Sequence, residues 1–240
     1  MNREDPPVAL VTGCSTGIGR ALAVELHGRG YRVFATARRV EAIADLAAAG
    51  LRTLPLDVTS AASVAAAVQA LRDDGGRLDL LVNNAGVNAF GPLAELPLER
   101  VRALLDTNVV GLLAMTQAVF PLMAARRRGV VLNVGSVVGV LPTPFAGAYC
   151  ASKAAVHMLS EVLRMEVAPF GIDVVVVQPG GVRSAIADSA APEIERYREP
   201  TSRYHAAYDG IRKRAFASQD GPMPAEDFAR ELITAVESEP

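Results

Sequence analysis

The 240-residue sequence contains no tryptophan and only two cysteines, and 5% of its residues are aromatic. Two cysteines, Cys14 and Cys150, are too few for a disulfide framework, so we expect a reduced protein of the cytoplasm. The net charge of −2 gives no electrostatic reason to expect nucleic acid as a partner. No uninterrupted run of 18 apolar residues is present, and the chain starts with a polar segment. We therefore expect neither a signal peptide nor a membrane span.

Half of the residues are apolar, and short apolar runs alternate with helical patterns along the whole chain. This alternation predicts βαβ units in a single α/β domain, with a doubly wound parallel sheet flanked by helices, the Rossmann architecture. The predicted strands are 8–11, 32–36, 78–82, 130–134 and 173–177, with the run 54–56 leading into Asp57 in the third position. The predicted helices are 20–29, 40–49, 61–72, 98–125, 148–167 and 225–238, and no seventh strand follows.

The first predicted strand ends in a glycine-rich turn. Residues 12–19 read TGCSTGIG and lead directly into a predicted helix, with Gly13, Gly17 and Gly19 in the spacing G-x-x-x-G-x-G. Glycines permit a tight bend and a close approach of backbone to phosphate, and the free N–H groups of a helix start attract a pyrophosphate. The turn predicts a dinucleotide site, although a glycine-rich βα turn without a ligand has the same pattern.

The end of the second predicted strand bears on which dinucleotide is bound. In a dinucleotide fold, an acid at this position binds the ribose 2′-hydroxyl of NAD, whereas an arginine accommodates the 2′-phosphate of NADP. The strand end carries Arg38 and Arg39, and no acid stands there. This favours NADP(H), because a guanidinium offers phosphate a planar fork of donors. The alternative is that both arginines are solvent-exposed charges at a helix start.

Tyr149 and Lys153 lie four residues apart on a predicted helix, so they share one face. A phenol has an ordinary pKa of about 10, and a nearby ammonium favours its ionised form. The pair therefore predicts a tyrosine whose pKa is lowered for acid–base catalysis. Ser136 follows the apolar run 130–134 and supplies a hydroxyl 13 residues upstream of Tyr149. Taken singly, each of these residues also fits an ordinary structural role.

In combination these features resemble the short-chain dehydrogenase/reductase family, and the similarity runs from Val8 to about Ser184. Asn108, Ser136, Tyr149 and Lys153 are similar to the family's catalytic tetrad. The resemblance implies that Ser136 binds a substrate carbonyl, Tyr149 donates a proton, Lys153 holds the ribose and Asn108 anchors a water relay. It also implies cofactor binding by Gly13, Ser15, Thr16, Gly17, Ile18, Gly19, Arg38, Asp57, Val58, Asn83, Ala85, Gly86, Tyr149, Lys153, Pro179, Gly180, Val182 and Ser184.

The resemblance further implies an NADP(H)-dependent oxidoreductase acting on a small-molecule ketone or alcohol, with no metal, and a homodimer or homotetramer built on the two long helices. Within the family, residues 13–19, 33–38 and 142–147 are similar to the group that includes acyldihydroxyacetone-phosphate reductase and 17β-hydroxysteroid dehydrogenase type 1. That group reduces lipid-like ketones, and the apolar residues beside the expected site suit a hydrophobic substrate.

The polar, proline-punctuated segment after the sixth strand is too short for a second domain, so a substrate-binding lid is the better interpretation. We expect one domain over 1–240, with the cofactor and catalytic core at 8–184, the lid at 185–224 and a C-terminal helix at 225–240. The expected substrate contacts are Val138, Phe145, Tyr204 and Tyr208.

Two other functions remain open at this point. Residues 13–17 also match the G-x-S-x-G elbow of serine hydrolases, with Ser15 as nucleophile and His157 or His205 as base. That interpretation leaves Tyr149, Lys153 and Arg38 unexplained. The second alternative is an NADP-binding sensor without catalytic activity, which has no need of Tyr149 and Lys153 on one helix face.

Overall fold

The structure is a computed structural model that describes residues 5–184 and 191–238. Its sheet has six parallel strands in the order β3-β2-β1-β4-β5-β6. The strands are β1 (Val8–Val11), β2 (Arg32–Ala37), β3 (Arg52–Pro55), β4 (Leu80–Asn83), β5 (Gly129–Val134) and β6 (Ile172–Val177). The strand order reverses between β1 and β4, which is where open α/β sheets bind ligands at the carboxyl ends of their strands.

Helices cover both faces of this sheet. They are α1 (Gly17–Gly28), α2 (Ala44–Ala48), α3 (Ala61–Asp73), α4 (Leu98–Leu105), α5 (Gly111–Arg126), α6 (Gly147–Val167), α7 (Ala191–Ile194), α8 (Tyr208–Phe216) and α9 (Ala225–Ser238). Side chains alternate between the faces of each strand, so Ala9 and Val11 of β1 pack towards α1 and α9. Val8 and Leu10 pack on the opposite face, towards α3 and α5. The predicted fold class is confirmed, and among the described residues the sheet has no seventh strand.

The predicted boundaries differ from the observed ones in two informative places. The expected single helix 98–125 is divided, because a π-helical turn, Asp106–Val110, joins α4 to α5. The fourth strand was predicted at 78–82, but it starts at Leu80 and extends to Asn83. Apolar periodicity marks an element well, whereas its ends depend on backbone pairing that the pattern does not encode.

Residues 191–219 form a series of short helices that cover the cleft at the carboxyl ends of the strands. An apolar cluster holds it in place, with buried residues Phe90, Ala146, Cys150, Ile194, Tyr197, Ile211 and Ala215. After these helices, Met223 forms an isolated parallel bridge with Val182. Of the predicted lid 185–224 and terminal helix 225–240, residues 185–190 and 239–240 lie outside the described residues.

One helical stretch, Leu98–Arg126, is long and apolar enough to cross a membrane by length and composition alone, with mean hydropathy 1.6 in its most apolar window. That window includes polar residues, so it is not an uninterrupted apolar run. Within the protein 39% of it is buried. Met115, Val119 and Met123 pack into the core beneath the sheet, and core helices pass the same composition test.

Candidate active site

The glycine-rich turn connects β1 to α1 in a backbone conformation that residues with a side chain rarely adopt. Gly13 and Gly17 have φ of +76° and +58°, in the left-handed region that favours glycine. A Cβ at Gly19 would overlap the Asn84 side chain and lie 2.5 Å from the Gly13 carbonyl oxygen. Thr16 precedes α1 without capping it through its side chain, so the first N–H groups of the helix remain available to a ligand. The turn thus fits a pyrophosphate.

Thr12 and Asn84 fasten this turn to the end of β4. The Thr12 hydroxyl accepts hydrogen bonds from the N–H groups of Asn84 and Ala85, both at 2.9 Å. The Asn84 amide in turn donates to the carbonyl oxygens of Thr12 and Gly13, at 2.8 and 3.0 Å. These bonds hold the backbone of the turn rigidly, and sequence reasoning had not singled out either side chain.

Asn83, expected to contact the cofactor, points into the protein instead. It is buried, and its amide donates to the Thr116 hydroxyl and the Asn133 side-chain oxygen at 3.0 and 2.9 Å. Asn133 donates in turn to the Ser160 hydroxyl at 2.8 Å. This chain of polar groups ties β4 and β5 to α5 and α6 beneath the site.

Arg38 and Asp57 lie at the end of the cleft that adjoins the glycine turn. Arg38 is exposed at the end of β2, and its charge contributes to lowering the pKa of Asp57. The larger cause is hydrogen bonding by Thr59, whose hydroxyl and N–H donate to the Asp57 carboxylate at 2.7 and 2.9 Å. Arg38 therefore presents a cation to the cleft, and Asp57 is held in its ionised form.

Ser136 lies two residues after the end of β5, and the His157 side chain is hydrogen-bonded to its backbone. The N–H of Ser136 donates to Nε2 of His157 at 3.3 Å. A Cβ at Gly135 or Gly139 would overlap the His157 ring, so the loop packs directly on the imidazole. Burial and the Lys153 charge lower the pKa of His157, which keeps Nε2 an acceptor. Sequence reasoning had considered His157 only as a hydrolase base or a packing residue.

Tyr149 lies in the first turn of α6 beside Ser136. Burial raises the pKa of the Tyr149 phenol to about 12, against smaller lowering effects of the Ser136 hydroxyl and the Arg214 charge. The sequence had predicted a lowered pKa from the Tyr–Lys pair, and in the ligand-free protein that prediction is wrong. Desolvation outweighs the charges around the phenol. The Tyr149 phenol therefore keeps its proton near neutral pH.

Lys153 lies one turn further along α6 and is 6% exposed. Its ammonium donates to the carbonyl oxygen of Val134 at 2.7 Å and lies 5.7 Å from the centre of the Tyr149 ring. Burial lowers the pKa of Lys153 to about 8. The amine is therefore mostly charged at neutral pH and is held at the base of the cleft by a backbone carbonyl.

Asn108 occupies the π-helical turn between α4 and α5. Its side-chain oxygen accepts from the N–H of Val87 at 2.8 Å, and its amide donates to the Val87 carbonyl at 3.0 Å. The amide also reaches the Ser152 hydroxyl at 3.1 Å, and that hydroxyl donates to the Tyr149 carbonyl at 2.8 Å. Asn108 thus links the loop after β4 to the helix that carries Tyr149 and Lys153.

These groups surround one cleft of about 530 Å³. Of the predicted cofactor, catalytic and substrate residues, those that line it are Gly13, Ser15, Thr16, Ile18, Arg38, Asp57, Val58, Ala85, Gly86, Ser136, Val138, Tyr149, Lys153, Pro179, Gly180, Val182 and Ser184. The other predicted residues of the cofactor and catalytic sets, Gly17, Gly19, Asn83 and Asn108, do not line the cleft. Phe145, Tyr204 and Tyr208 pack against the apolar cluster under the lid.

The sequence profile described as short chain dehydrogenase matches residues 7–195. The chain belongs to the short-chain dehydrogenase family. It is 44% identical, over 76% of its length, to the NADPH-dependent 1-acyldihydroxyacetone phosphate reductase of Schizosaccharomyces pombe, of which the match spans 62%. It is 37% identical to human 17-beta-hydroxysteroid dehydrogenase type 1, over 95% of this chain and 74% of that protein.

A solved short-chain dehydrogenase from Streptomyces avermitilis superposes with a TM-score of 0.85 at 33% identity, over 99% of this chain and 86% of that one. The protein is thus an oxidoreductase of the short-chain dehydrogenase family, whose members act on CH–OH or C=O groups with a nicotinamide cofactor. Among the described residues, no cluster of His, Cys, Asp and Glu is suited to a metal ion.

The hydrolase alternative finds no support in this arrangement. Among the described residues, neither histidine is hydrogen-bonded to Ser15: His157 accepts from the N–H of Ser136, and His205 contacts the carbonyl of Arg198. The strand–turn–helix setting suits a nucleophile elbow as well as a dinucleotide turn, so the local motif alone does not distinguish a hydrolase from a short-chain dehydrogenase.

Sequence reasoning missed several cleft residues, among them Asn88, Phe90, Thr143 and Arg214. Asn88 and Phe90 follow directly after the NNAG segment, so the signal that could have found them is their distance from that motif. Thr143 lies in the segment before α6. Arg214 comes from the lid helix α8, whose position over the cleft has no local sequence signal.

Proposed function

We propose that this short-chain dehydrogenase reduces an apolar, lipid- or steroid-like ketone with NADPH, or oxidises the corresponding secondary alcohol with NADP⁺. The observation that carries the proposal is the adjacency of the Ser136 and Tyr149 hydroxyls in one cleft, with the Lys153 ammonium one helical turn away. A carbonyl oxygen between two hydroxyls can accept hydrogen bonds from both, which polarises the C=O bond.

The cleft residues fit a nicotinamide dinucleotide. The glycine turn and the start of α1 would hold the pyrophosphate, Asp57 and Val58 the adenine, and Lys153 and Pro179 the nicotinamide half. When bound, the nicotinamide ring supplies a hydride for the carbonyl carbon. Ala85 and Gly86 line the cleft and have small side chains or none, so the backbone of the loop after β4 could lie close to the bound dinucleotide.

The chain's own residues would manage the proton. Ser136 binds the carbonyl oxygen, and the neutral Tyr149 phenol transfers its proton to that oxygen as the carbon gains hydride, which yields the alcohol and a phenolate. The Lys153 ammonium favours the phenolate until solvent returns a proton. The hydrogen bonds of Asn108 keep α6, and with it Tyr149, in position for this protonation. Alcohol oxidation reverses each transfer.

Arg38 supports a preference for NADP(H). It is the cation at the ribose end of the cleft, no acid stands directly at the end of β2, and a 2′-phosphate would be its natural ligand. The Schizosaccharomyces pombe relative is named as NADPH-dependent. The apolar groups Phe90 and Val138 in the cleft wall, with exposed Val140 and Leu141 beside it, support a hydrophobic ketone.

We also propose how the chain is organised. Residues 8–184 form the cofactor and catalytic core, residues 185–224 the substrate-binding lid, and residues 225–240 a C-terminal helix in the same domain. The enzyme acts in the cytoplasm, since both cysteines are free thiols. It is a homodimer or homotetramer assembled through α5 and α6.

The decisive experiment replaces the proton donor. In Tyr149→Phe, NADPH oxidation with a panel of ketones graded from small to steroid- and acyl-sized should fall by at least about 100-fold in kcat, because the proton has no source. NADPH binding should be retained. Tyr208→Phe is the matched control, since Tyr208 lies outside the cleft wall, and it should keep its activity. Binding of NADPH without turnover of any ketone by the wild type would instead support the sensor alternative.

A further inference from the structure

Arg214 lies on the buried face of the lid helix α8. Ile211 and Ala215, three residues before and one after it, are both buried in the apolar cluster under the lid. Residues 211, 214 and 215 share one side of a helix, so the Arg214 side chain is directed inward. The adjacent Arg212 and Lys213 are exposed on the outer side. Arg214 is thus the cation of this helix that lines the cleft.

Two contacts fix the direction of the guanidinium. Its Nε donates to the Thr143 hydroxyl at 2.8 Å, and its central carbon lies 5.5 Å from the centre of the Phe90 ring. Thr143 itself lies 3.9 Å from the sulfur of Cys150, the neighbour of Tyr149 in α6. A hydrogen bond and a stacked ring hold a planar guanidinium in one orientation. Arg214 is therefore positioned near the catalytic tyrosine, on the side of the lid.

The terminal nitrogens of Arg214 are free to bind a ligand. Among residues 5–184 and 191–238, only its Nε takes part in a hydrogen bond, and no carboxylate forms a salt bridge with it. In the described structure the terminal nitrogens are not among the buried atoms without partners, and Arg214 lines the cleft, so a ligand there can reach them. Within the described part of the chain, this half-buried cation beside Phe90 has no carboxylate partner, which such a group usually has. A planar fork of N–H donors matches the oxygens of a carboxylate or a phosphate.

We propose that Arg214 binds an anionic group of the substrate, a carboxylate or a phosphate, so that the preferred ketone carries a negative charge on its lid side. This inference rests on the proposed function, because it places the reacting carbonyl at Ser136 and Tyr149. The substrate then has two anchors, and the aliphatic part between them contacts Phe90 and Val138. The exposed cations of the lid, Arg212 and Lys213, take no part.

The test compares three ketones of similar length: a keto carboxylate, a keto phosphate monoester and a neutral keto ester. Steady-state kcat/KM is measured for the wild type, Arg214→Gln, Arg214→Lys and the control Arg212→Gln. With Arg214→Gln, kcat/KM for the preferred anionic ketone should fall at least about tenfold, and that for the neutral ester less than about threefold. Arg214→Lys should restore part of the loss, and Arg212→Gln should behave as wild type. The keto acid and phosphate arms identify which anion is preferred.

A binding measurement separates this inference from the proposed function. An alkyl carboxylate and an alkyl phosphate are titrated by calorimetry into the NADPH-loaded enzyme, which requires no turnover. If Arg214→Gln weakens this binding and Arg212→Gln does not, the anion site is supported. That conclusion holds even if no ketone is reduced, in which case the proposed function fails. Equal losses for anionic and neutral ketones, unchanged binding of both anions, or a matching loss of NADPH affinity would overturn the assignment to Arg214.

Discussion

Arg38 and Arg214 are two cations that line one cleft, and their surroundings differ. Arg38 is exposed at the end of β2, where the glycine turn and Asp57 adjoin it. Arg214 is half-buried and oriented by Thr143 and Phe90. An exposed guanidinium discriminates between ligands mainly by charge, whereas an oriented one also discriminates by geometry. Under the two proposals, cofactor choice and substrate choice would depend on separate residues.

Arg38→Ala should raise the KM for NADPH by at least about tenfold, since it removes a charge-assisted contact with the 2′-phosphate, and should leave the KM for NADH nearly unchanged. Steady-state kinetics with both cofactors measures the two effects. Arg39→Ala is the control, because Arg39 is the exposed neighbour that does not line the cleft. Equal changes for NADPH and NADH in Arg38→Ala would defeat the NADP(H) preference.

Some features of single site residues can be predicted from the sequence, and others cannot. The positions of Ser136, Tyr149 and Lys153 were predictable, because a strand end and a four-residue helical spacing are local patterns. The inward direction of Asn83 was not, since which of two adjacent asparagines faces the cleft depends on where β4 ends. The raised pKa of Tyr149 was also unpredictable, because burial is a property of the assembled fold.

At the scale of elements, the π-helical turn at Asp106–Val110 places Asn108 against the loop after β4. Such a turn adds one residue to the helical repeat and is often found at functional sites. The apolar pattern of 98–125 predicted one continuous helix, since an insertion of one residue hardly changes that pattern. The lid was predicted only as a segment, because its short helices carry too few turns for a periodic signal.

Asn108→Ala should lower the free energy of unfolding by about 2–4 kcal/mol, because it leaves the N–H and C=O of Val87 without their side-chain partner. Urea denaturation of the ligand-free protein measures the change. Asp106→Ala, an exposed position in the same turn, should alter stability by less than about 0.5 kcal/mol. If both variants lose the same stability, the hydrogen bonds of Asn108 are not what holds this turn to the loop.

At the scale of the molecule, α6 presents an apolar stripe to solvent. Met158 and Met165 are 67% and 69% exposed, and Val162 lies between them on the same side of the helix. Val110, before α5, and Phe170, after α6, are exposed apolar residues as well. Large apolar residues clustered on an exposed helix face are typical of a protein interface. The α6 stripe is therefore the surface through which we expect two copies of this chain to associate.

In sedimentation velocity at micromolar concentration, the wild type should migrate as a dimer or tetramer. The double variant Met158→Glu/Met165→Glu should migrate as a smaller species, since each interface would bury unpaired carboxylates. Val24→Glu, at a 50% exposed position of α1, is the control and should leave the distribution unchanged. A wild type that is monomeric at every concentration would contradict the proposed assembly.

The apolar cluster under α8 shares no residue with the two clusters that cover the faces of the sheet. Hydride and proton transfer would depend on strand ends and α6, whereas Arg214 is carried by a helix with its own small core. On the proposed assignment, we expect substitutions in that helix to change which ketones are reduced. If Arg214 has the proposed role, a combinatorial library confined to α8 should change which ketones are reduced more than it changes hydride and proton transfer.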